Sequence, residues 1–241
     1  MNEIISVYRS LFGYYGPQGW WPLQCNASES GFDARGYHPG SYEFPVSRAE
    51  VWEILCGTIL AQNTSWTNAE KSLTRLRMNG IASPEHLLGM TADGIASLIR
   101  PSGYFNQKSG RLRAFAAYFI GLGGVIPDRG ELLALQGIGP ETADSMLLYA
   151  WKQPHFVVDS YTARIMGRMG ILDPDFSAIR SGKRYEHVQK IITKGLDELP
   201  AGKIPVFQEF HALLVRNATM HCASRPVCSG CPLEHSCEKR V

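Results

Sequence analysis

Leu135-Gln136-Gly137-Ile138-Gly139-Pro140-Glu141-Thr142-Ala143 places two glycines in a tight turn directly before a proline suited to the first turn of a helix. Glycines there leave backbone N–H groups unobstructed, and the helix N-terminus that follows adds positive potential, so the segment suits a phosphate. Glycine also ends helices, and the same turn can serve packing alone. Working outward, Asp159 lies eighteen residues after Glu141, in Phe156-Val157-Val158-Asp159-Ser160-Tyr161, where an apolar run leads into a helix. A carboxylate at that point reads as an N-cap. Near a phosphate-binding turn it is also placed to face a sugar, and the two readings are compatible.

Helical periodicity dominates the rest of the chain. Ser47 followed by Glu50 is a capping box that opens an apolar helix running to about Gln62. Similar patterns mark 67–78, 107–122, 140–151, 159–170, 185–198 and 204–220, so the chain is expected to be all-α. Gly13 to Pro45 is rich in Gly, Pro, Tyr and Trp without a period and reads as an ordered aromatic loop; 121–130 reads as a connection between helices. With 241 residues, 44% of them hydrophobic, the chain can bury a sizeable core. No basic start with an apolar stretch and cleavage site occurs, nor any run of eighteen apolar residues, which leads us to expect neither export nor membrane insertion. A cytoplasmic protein is expected, nucleoid-associated if the source is prokaryotic. The net charge is only +2, so binding of nucleic acid has to come from local arrangement rather than a global basic field.

Four of the six cysteines, Cys222, Cys228, Cys231 and Cys237, fall in the last twenty residues. That is the clustering of a metal site rather than of secreted disulfides. One close pair flanked by wider gaps favours a [4Fe–4S] cluster over structural zinc, which usually takes two close pairs. His221 reads as a surface or capping histidine, and Cys56, inside an apolar helix, as a small buried hydrophobe.

The order of these features resembles the helix-hairpin-helix DNA glycosylases of the endonuclease III superfamily. It runs from Ala61-Gln62-Asn63-Thr64 through Gly103-Tyr104-Phe105-Asn106-Gln107-Lys108 and the hairpin to Asp159 and the four cysteines. The resemblance covers about 45–241. It implies a helical barrel at 45–153, a second helical lobe made of 1–44 and 154–241 that holds the cluster, and a DNA-binding cleft between the lobes. It implies that Asp159 is the catalytic aspartate and that Gln62 enters the gap left by an extruded base. Gly137, Ile138, Gly139, Glu141 and Thr142 would meet the DNA backbone, and the partner would be double-stranded DNA carrying damaged bases, bound by a monomer. The first cysteine gap is one residue shorter than the common family pattern.

Two departures bear on substrate. Bifunctional members carry, after the hairpin, a lysine that attacks the sugar; Glu141 stands there, and a carboxylate forms no Schiff base. Lys108 or Lys152 would substitute only if the fold brought one of them to the sugar. Adenine-specific members use a glutamate to protonate the leaving base; the matching position is Thr58. A base that departs without protonation is therefore expected, and alkylated purines such as 3-methyladenine or 7-methylguanine fit. Such a cationic base would stack on electron-rich aromatics, for which Trp20, Trp21 and Trp66 are the candidates, with Tyr14 and Tyr15 behind them. The Trp20-Trp21 segment resembles the 3-methyladenine branch more than the pyrimidine-specific members. The alternatives are a glycosylase for mismatched uracil or thymine or for a damaged pyrimidine, with AP-lyase activity left open, and a non-catalytic protein that binds damaged DNA; a small redox protein built around the cluster would leave the hairpin unexplained.

Overall fold

Ser47 and Glu50 begin the helix around which half of the molecule is built. Ser47 Oγ accepts the Glu50 N–H at 3.2 Å and Glu50 Oε2 accepts the Ser47 N–H at 2.8 Å, so the expected capping box forms. A computed structural model describes residues 2–172, 181–199 and 202–239, and among these every regular element is helical. The helices are α1 (Glu3–Tyr15), α2 (Arg48–Leu60), α3 (Trp66–Met78), α4 (Pro84–Leu88), α5 (Ala92–Leu98), α6 (Phe105–Gly121), α7 (Arg129–Leu133), α8 (Pro140–Ser145), α9 (Ser160–Met169), α10 (Ser181–Leu196) and α11 (Lys203–Met220). A π turn, Met146–Ala150, extends α8. None of them is long and apolar enough to cross a membrane.

The chain divides into two compact units, Met1–Trp20 with Pro154–Val241, and Trp21–Gln153. In the Trp21–Gln153 unit, α2 buries Trp52, Ile54, Leu55, Cys56, Ile59 and Leu60 around its whole circumference, as a central core helix must. Each of the large apolar side chains among them contributes about 2 kcal/mol by leaving water. Helices α3, α6 and α8 pack on α2, and α4 and α5 pack on α6.

Residues 21–44 differ from the expectation. The resemblance implies a place in the cysteine lobe, whereas they pack against α2 and α3 in the Trp21–Gln153 unit. Leu23 is fully buried, and a Cβ on Gly57 of α2 would come within 3.0 Å of the Trp21 indole nitrogen. The Gln24 amide reaches the Glu70 carbonyl at 3.1 Å and accepts from Thr74 Oγ1 at 3.0 Å. The aromatic loop is also shorter at its start, because α1 runs on through Tyr15.

In the other unit, α1 packs on α10 and α11, and α9 packs on α11. Helix α1 crosses α10 so closely at Gly195 that a Cβ there would lie 2.6 Å from Ile4 Cβ. The run Phe156-Val157-Val158 is buried; Phe156 meets Phe207 and Phe210 of α11, and Gln189 of α10 donates to the Phe156 carbonyl at 2.7 Å. This anchored run ends at Asp159, the residue that caps α9. Residues 173–180, 200–201 and 240–241 of the lobe expected from the sequence lie outside the described residues.

Candidate functional site

The hairpin forms between α7 and α8. Gly137 has φ +83°, a left-handed conformation that favours glycine, and Gly139 leads into Pro140 at the first turn of α8. The turn closes through Ile138 N–H on the Leu135 carbonyl and Ala143 N–H on the Gly139 carbonyl. Arg129 of α7 and the fully buried Asp144 of α8 make a two-pronged ion pair, Nε to Oδ1 at 2.7 Å and Nη2 to Oδ2 at 3.1 Å, which ties the two helices across the turn. Ile138 is buried beneath the turn, and Glu141 is exposed on its helix start.

Gln62, just past the end of α2, lies against this hairpin. Its amide Nε2 donates to the Gly137 carbonyl at 2.9 Å and to Thr142 Oγ1 at 3.0 Å, while its Oε1 accepts from Arg111 Nη1 at 2.7 Å. Arg111 also covers Gly137: a Cβ there would lie 2.3 Å from the Arg111 Nε. Of the expected DNA-facing residues, the structure thus joins Gln62, Gly137 and Thr142 directly, and adds Arg111. No sequence motif singled out Arg111, because its partners sit far from it along the chain.

The two lysines named as substitutes for the missing nucleophile are otherwise engaged. Lys108 is 1% exposed, and its Nζ donates to the Leu60 carbonyl at 2.8 Å and the Ser102 carbonyl at 2.7 Å. Burial, with the nearby Arg111 charge, lowers its pKa to about 8. Lys152 Nζ donates to the Glu43 carbonyl. Thr58 is buried and bonds back to the Leu55 carbonyl of its own helix at 2.8 Å, so it offers no acid.

Asp159 caps α9 as the sequence suggests. Its Oδ1 accepts from Thr162 N–H at 2.7 Å and from Thr162 Oγ1 at 2.8 Å, and its Oδ2 lies 3.6 Å from His211 Nε2. Burial works to raise the carboxyl pKa, but the His211 imidazole and the Thr162 donors outweigh it and hold the group below its ordinary value. Trp20 stands edge-on to His211, with ring centres 5.5 Å apart. Trp21 is placed differently: it is buried in the Trp21–Gln153 unit, edge-on to Trp66 at 5.0 Å and to Tyr149 at 5.3 Å. Trp20 is therefore the expected pocket aromatic found beside the Asp159 group, whereas Trp21 and Trp66 are packed with one another.

Cys222, Cys228, Cys231 and Cys237 line one cavity of about 110 Å³, together with Arg168 and Met169 at the end of α9 and Asn217 of α11. Among the described residues no three His, Cys, Asp or Glu side chains are set around a single-ion position. Burial raises the Cys231 thiol pKa and the nearness of Cys222 and Cys228 adds to it, the crowding of sulfurs that a bound cationic centre relieves. Arg168 Nη1 donates to Cys222 Sγ at 3.3 Å and to the Ala223 carbonyl at 2.7 Å, and Nη2 to the Ser224 carbonyl at 3.0 Å. Four thiols on one short loop are a donor set that fits a thiolate-bound iron–sulfur cluster. His221 ends α11 and bonds the Val227 carbonyl at 3.2 Å, a capping role. Outside this loop, burial pushes the Cys25 thiol up to about 12, with Glu53 adding to it, and burial likewise raises Cys56 well above its ordinary value.

The family model described as HhH-GPD superfamily base excision DNA repair protein matches residues 56–196, more than half of the 241. The chain belongs to the HhH-GPD superfamily. Within it, a Methanocaldococcus jannaschii protein whose name assigns it provisionally as a DNA repair glycosylase is 30% identical, over 97% of this chain and 95% of its own. An endonuclease III of Thermotoga maritima is 28% identical over 81% of this chain and 87% of its own. Among solved structures, the 3-methyladenine DNA glycosylase MagIII of H. pylori, bound to 1,N6-ethenoadenine, superposes with a TM-score of 0.67 at 23% identity, covering 90% of this chain and 96% of that one. At that identity the likeness is one of fold, and the HhH-GPD fold hosts the hairpin and Asp159 described above.

Proposed function

We propose that this HhH-GPD protein is a monofunctional DNA glycosylase that hydrolyses the N-glycosidic bond of a flipped alkylated purine and leaves an abasic site in an unbroken strand. The observation that carries this reading is Asp159, a carboxylate held ionised by Thr162 and His211, in a chain whose hairpin is followed by exposed Glu141 rather than an amine. A base must leave the stack before its glycosidic bond is reachable. As that bond breaks, positive character develops on the sugar, and an ionised Asp159 stabilises it and orients the attacking water. An alkylated purine already bears a formal positive charge and leaves without an acid, which fits Thr58 in place of a carboxylic acid. The electron-rich face of Trp20 suits such a base.

The backbone amides around Gly137 and Gly139, at the start of α8, would take a DNA phosphate. Gln62, tied to the Gly137 carbonyl and to Thr142, would exchange those bonds for the vacated space in the duplex. Bound at Cys222, Cys228, Cys231 and Cys237, a [4Fe–4S] cluster supplies a rigid cross-link for the C-terminal loop. Arg168, bonded to that loop and carried on α9, links it to the helix that Asp159 caps.

The test is a panel of duplexes with single lesions, namely 7-methylguanine, uracil or thymine opposite guanine, and an oxidised pyrimidine, with the released base identified by mass. Wild-type protein should release 7-methylguanine, and Asp159→Asn should slow release at least about 100-fold while still binding the duplex. Release of uracil or thymine instead would transfer the reading to a mismatch glycosylase, and binding without release of any base would make it a damage-binding protein.

A further inference from the structure

His211 lies 52 residues from Asp159, in a helix whose buried face is mostly apolar, and no motif marks it. It is 5% exposed and its Nε2 faces Asp159 Oδ2 at 3.6 Å. The other oxygen, Oδ1, is already held by both donors of Thr162. The carboxylate thus has partners from two helices: Thr162 of α9 donates to Oδ1, and His211 of α11 faces Oδ2. The His211 ring also stands nearly perpendicular to the Trp20 indole, with ring centres 5.5 Å apart.

The same helix places Trp20 by a second route. Glu209, two residues before His211 and 3% exposed, accepts the Gln18 backbone N–H at 2.8 Å. Gln18 in turn donates to the Gly16 carbonyl at 2.9 Å, and Tyr15 at the end of α1 donates to Asn217 Oδ1 of α11 at 3.0 Å. The segment that leads into Trp20 is therefore tied to α11 through Tyr15 and Gln18, and Trp20 itself meets His211. One helix, α11, thus reaches the carboxylate through His211 and the segment that carries Trp20 through Glu209 and Asn217.

We infer that His211 is a positioning residue: from α11 it fixes the orientation of the Asp159 carboxylate and its registration with Trp20, so that the charge and the base-stacking surface meet a flipped nucleotide together. This rests on the reading of Asp159 as the catalytic carboxylate. Misplacing a reacting group by about 1 Å costs on the order of 100-fold in rate, and a buried imidazole 3.6 Å from the carboxylate is the side chain placed to prevent it. Removing it acts through Asp159 and not beside it.

That dependence can be read from a double-mutant cycle. Single-turnover excision is measured on a duplex with one 7-methylguanine for wild type, His211→Ala, His211→Gln, Asp159→Asn and the Asp159→Asn/His211→Ala pair. Binding is measured on a duplex with one tetrahydrofuran abasic analogue, which carries no base for Trp20. His211→Ala should slow excision about 10- to 100-fold with less than about 3-fold change in Kd. His211→Gln, which keeps a donor, should recover about tenfold of that loss, and the pair should be no slower than Asp159→Asn alone. A merely structural histidine would weaken the abasic complex and slow the Asp159→Asn background further, and either result overturns the inference. Active wild type, inactive Asp159→Asn and unchanged His211→Ala overturn the inference alone. Wild type with no excision, or Asp159→Asn as active as wild type, overturns the function proposed above and the inference with it.

Discussion

At the scale of single residues, the chemistry turns on what stands in three positions: Asp159, Glu141 and Thr58. Asp159 is a helix cap and a charged group at once, and its two oxygens divide the work: Oδ1 serves the Thr162 donors while Oδ2 is left facing His211. Glu141 is exposed on the first turn of α8, where its charge suits the helix dipole and its carboxylate can form no Schiff base. Borohydride reduction during turnover should therefore trap no covalent protein–DNA adduct with wild type, and Glu141→Gln should leave base release within about threefold. A trapped adduct would mean that an amine in this chain reaches the sugar. The cap and the glycine turn were legible in the sequence, because each depends on residues close together along the chain, while Glu141 took its meaning from the family resemblance. His211 and Arg111 were not, since their partners lie 52 and 49 positions away and a lone polar residue in a helix carries no label of what it meets.

At the scale of elements, α6 holds together the turns that surround the hairpin. Lys108 takes the carbonyl at the end of α2 and the carbonyl of Ser102 just before the Gly103–Tyr104 turn, and Arg111 one turn later takes Gln62. Lys108→Met leaves two buried carbonyls short of a donor and should cost about 2 kcal/mol in urea unfolding at neutral pH. The pH dependence has a definite sign. Burial, with Arg111, lowers the folded-state pKa from 10.5 to about 8, so between those values the unfolded chain binds more protons than the folded one. Stability from this group therefore rises with pH across that window and is flat below it. The difference between wild type and Lys108→Met should widen from pH 8 towards 10; a difference that narrows would contradict the burial of this ammonium group. The long helices were readable from periodicity, and the Ser47–Glu50 box marked one boundary to the residue. Helices α4, α5 and α7 are five to seven residues long, too short for a period to register. Helix α1 escaped because Gly13, Tyr14 and Tyr15 at its end read as the start of an aromatic loop, whereas Ile4, Ile5, Val7 and Leu11 form its buried stripe.

At the scale of the whole molecule, the all-helical class and the membership of the HhH-GPD superfamily were legible, because the order of hairpin, aspartate and cysteines is preserved along the chain. The assignment of 21–44 was not. Trp20 and Trp21 are adjacent, yet Trp20 meets His211 and Trp21 packs among Trp66, Tyr149 and Gly57, and nothing in a pair of neighbouring tryptophans says that the division falls between them. The cysteine loop allows a prediction at this scale: protein purified without air should be brown and carry about four iron and four sulfide per chain. Cys228→Ser should lose both and unfold at lower temperature, whereas stoichiometric zinc would contradict the cluster. The central claim is that Asp159 drives base loss without breaking the strand. Its most direct test is an end-labelled duplex with one 7-methylguanine, incubated with wild type or Asp159→Asn and resolved with and without hot alkali. Breaks at the lesion with wild type only after alkali, and none with Asp159→Asn, are the predicted result; breaks without alkali, or breaks with Asp159→Asn equal to wild type, would contradict it.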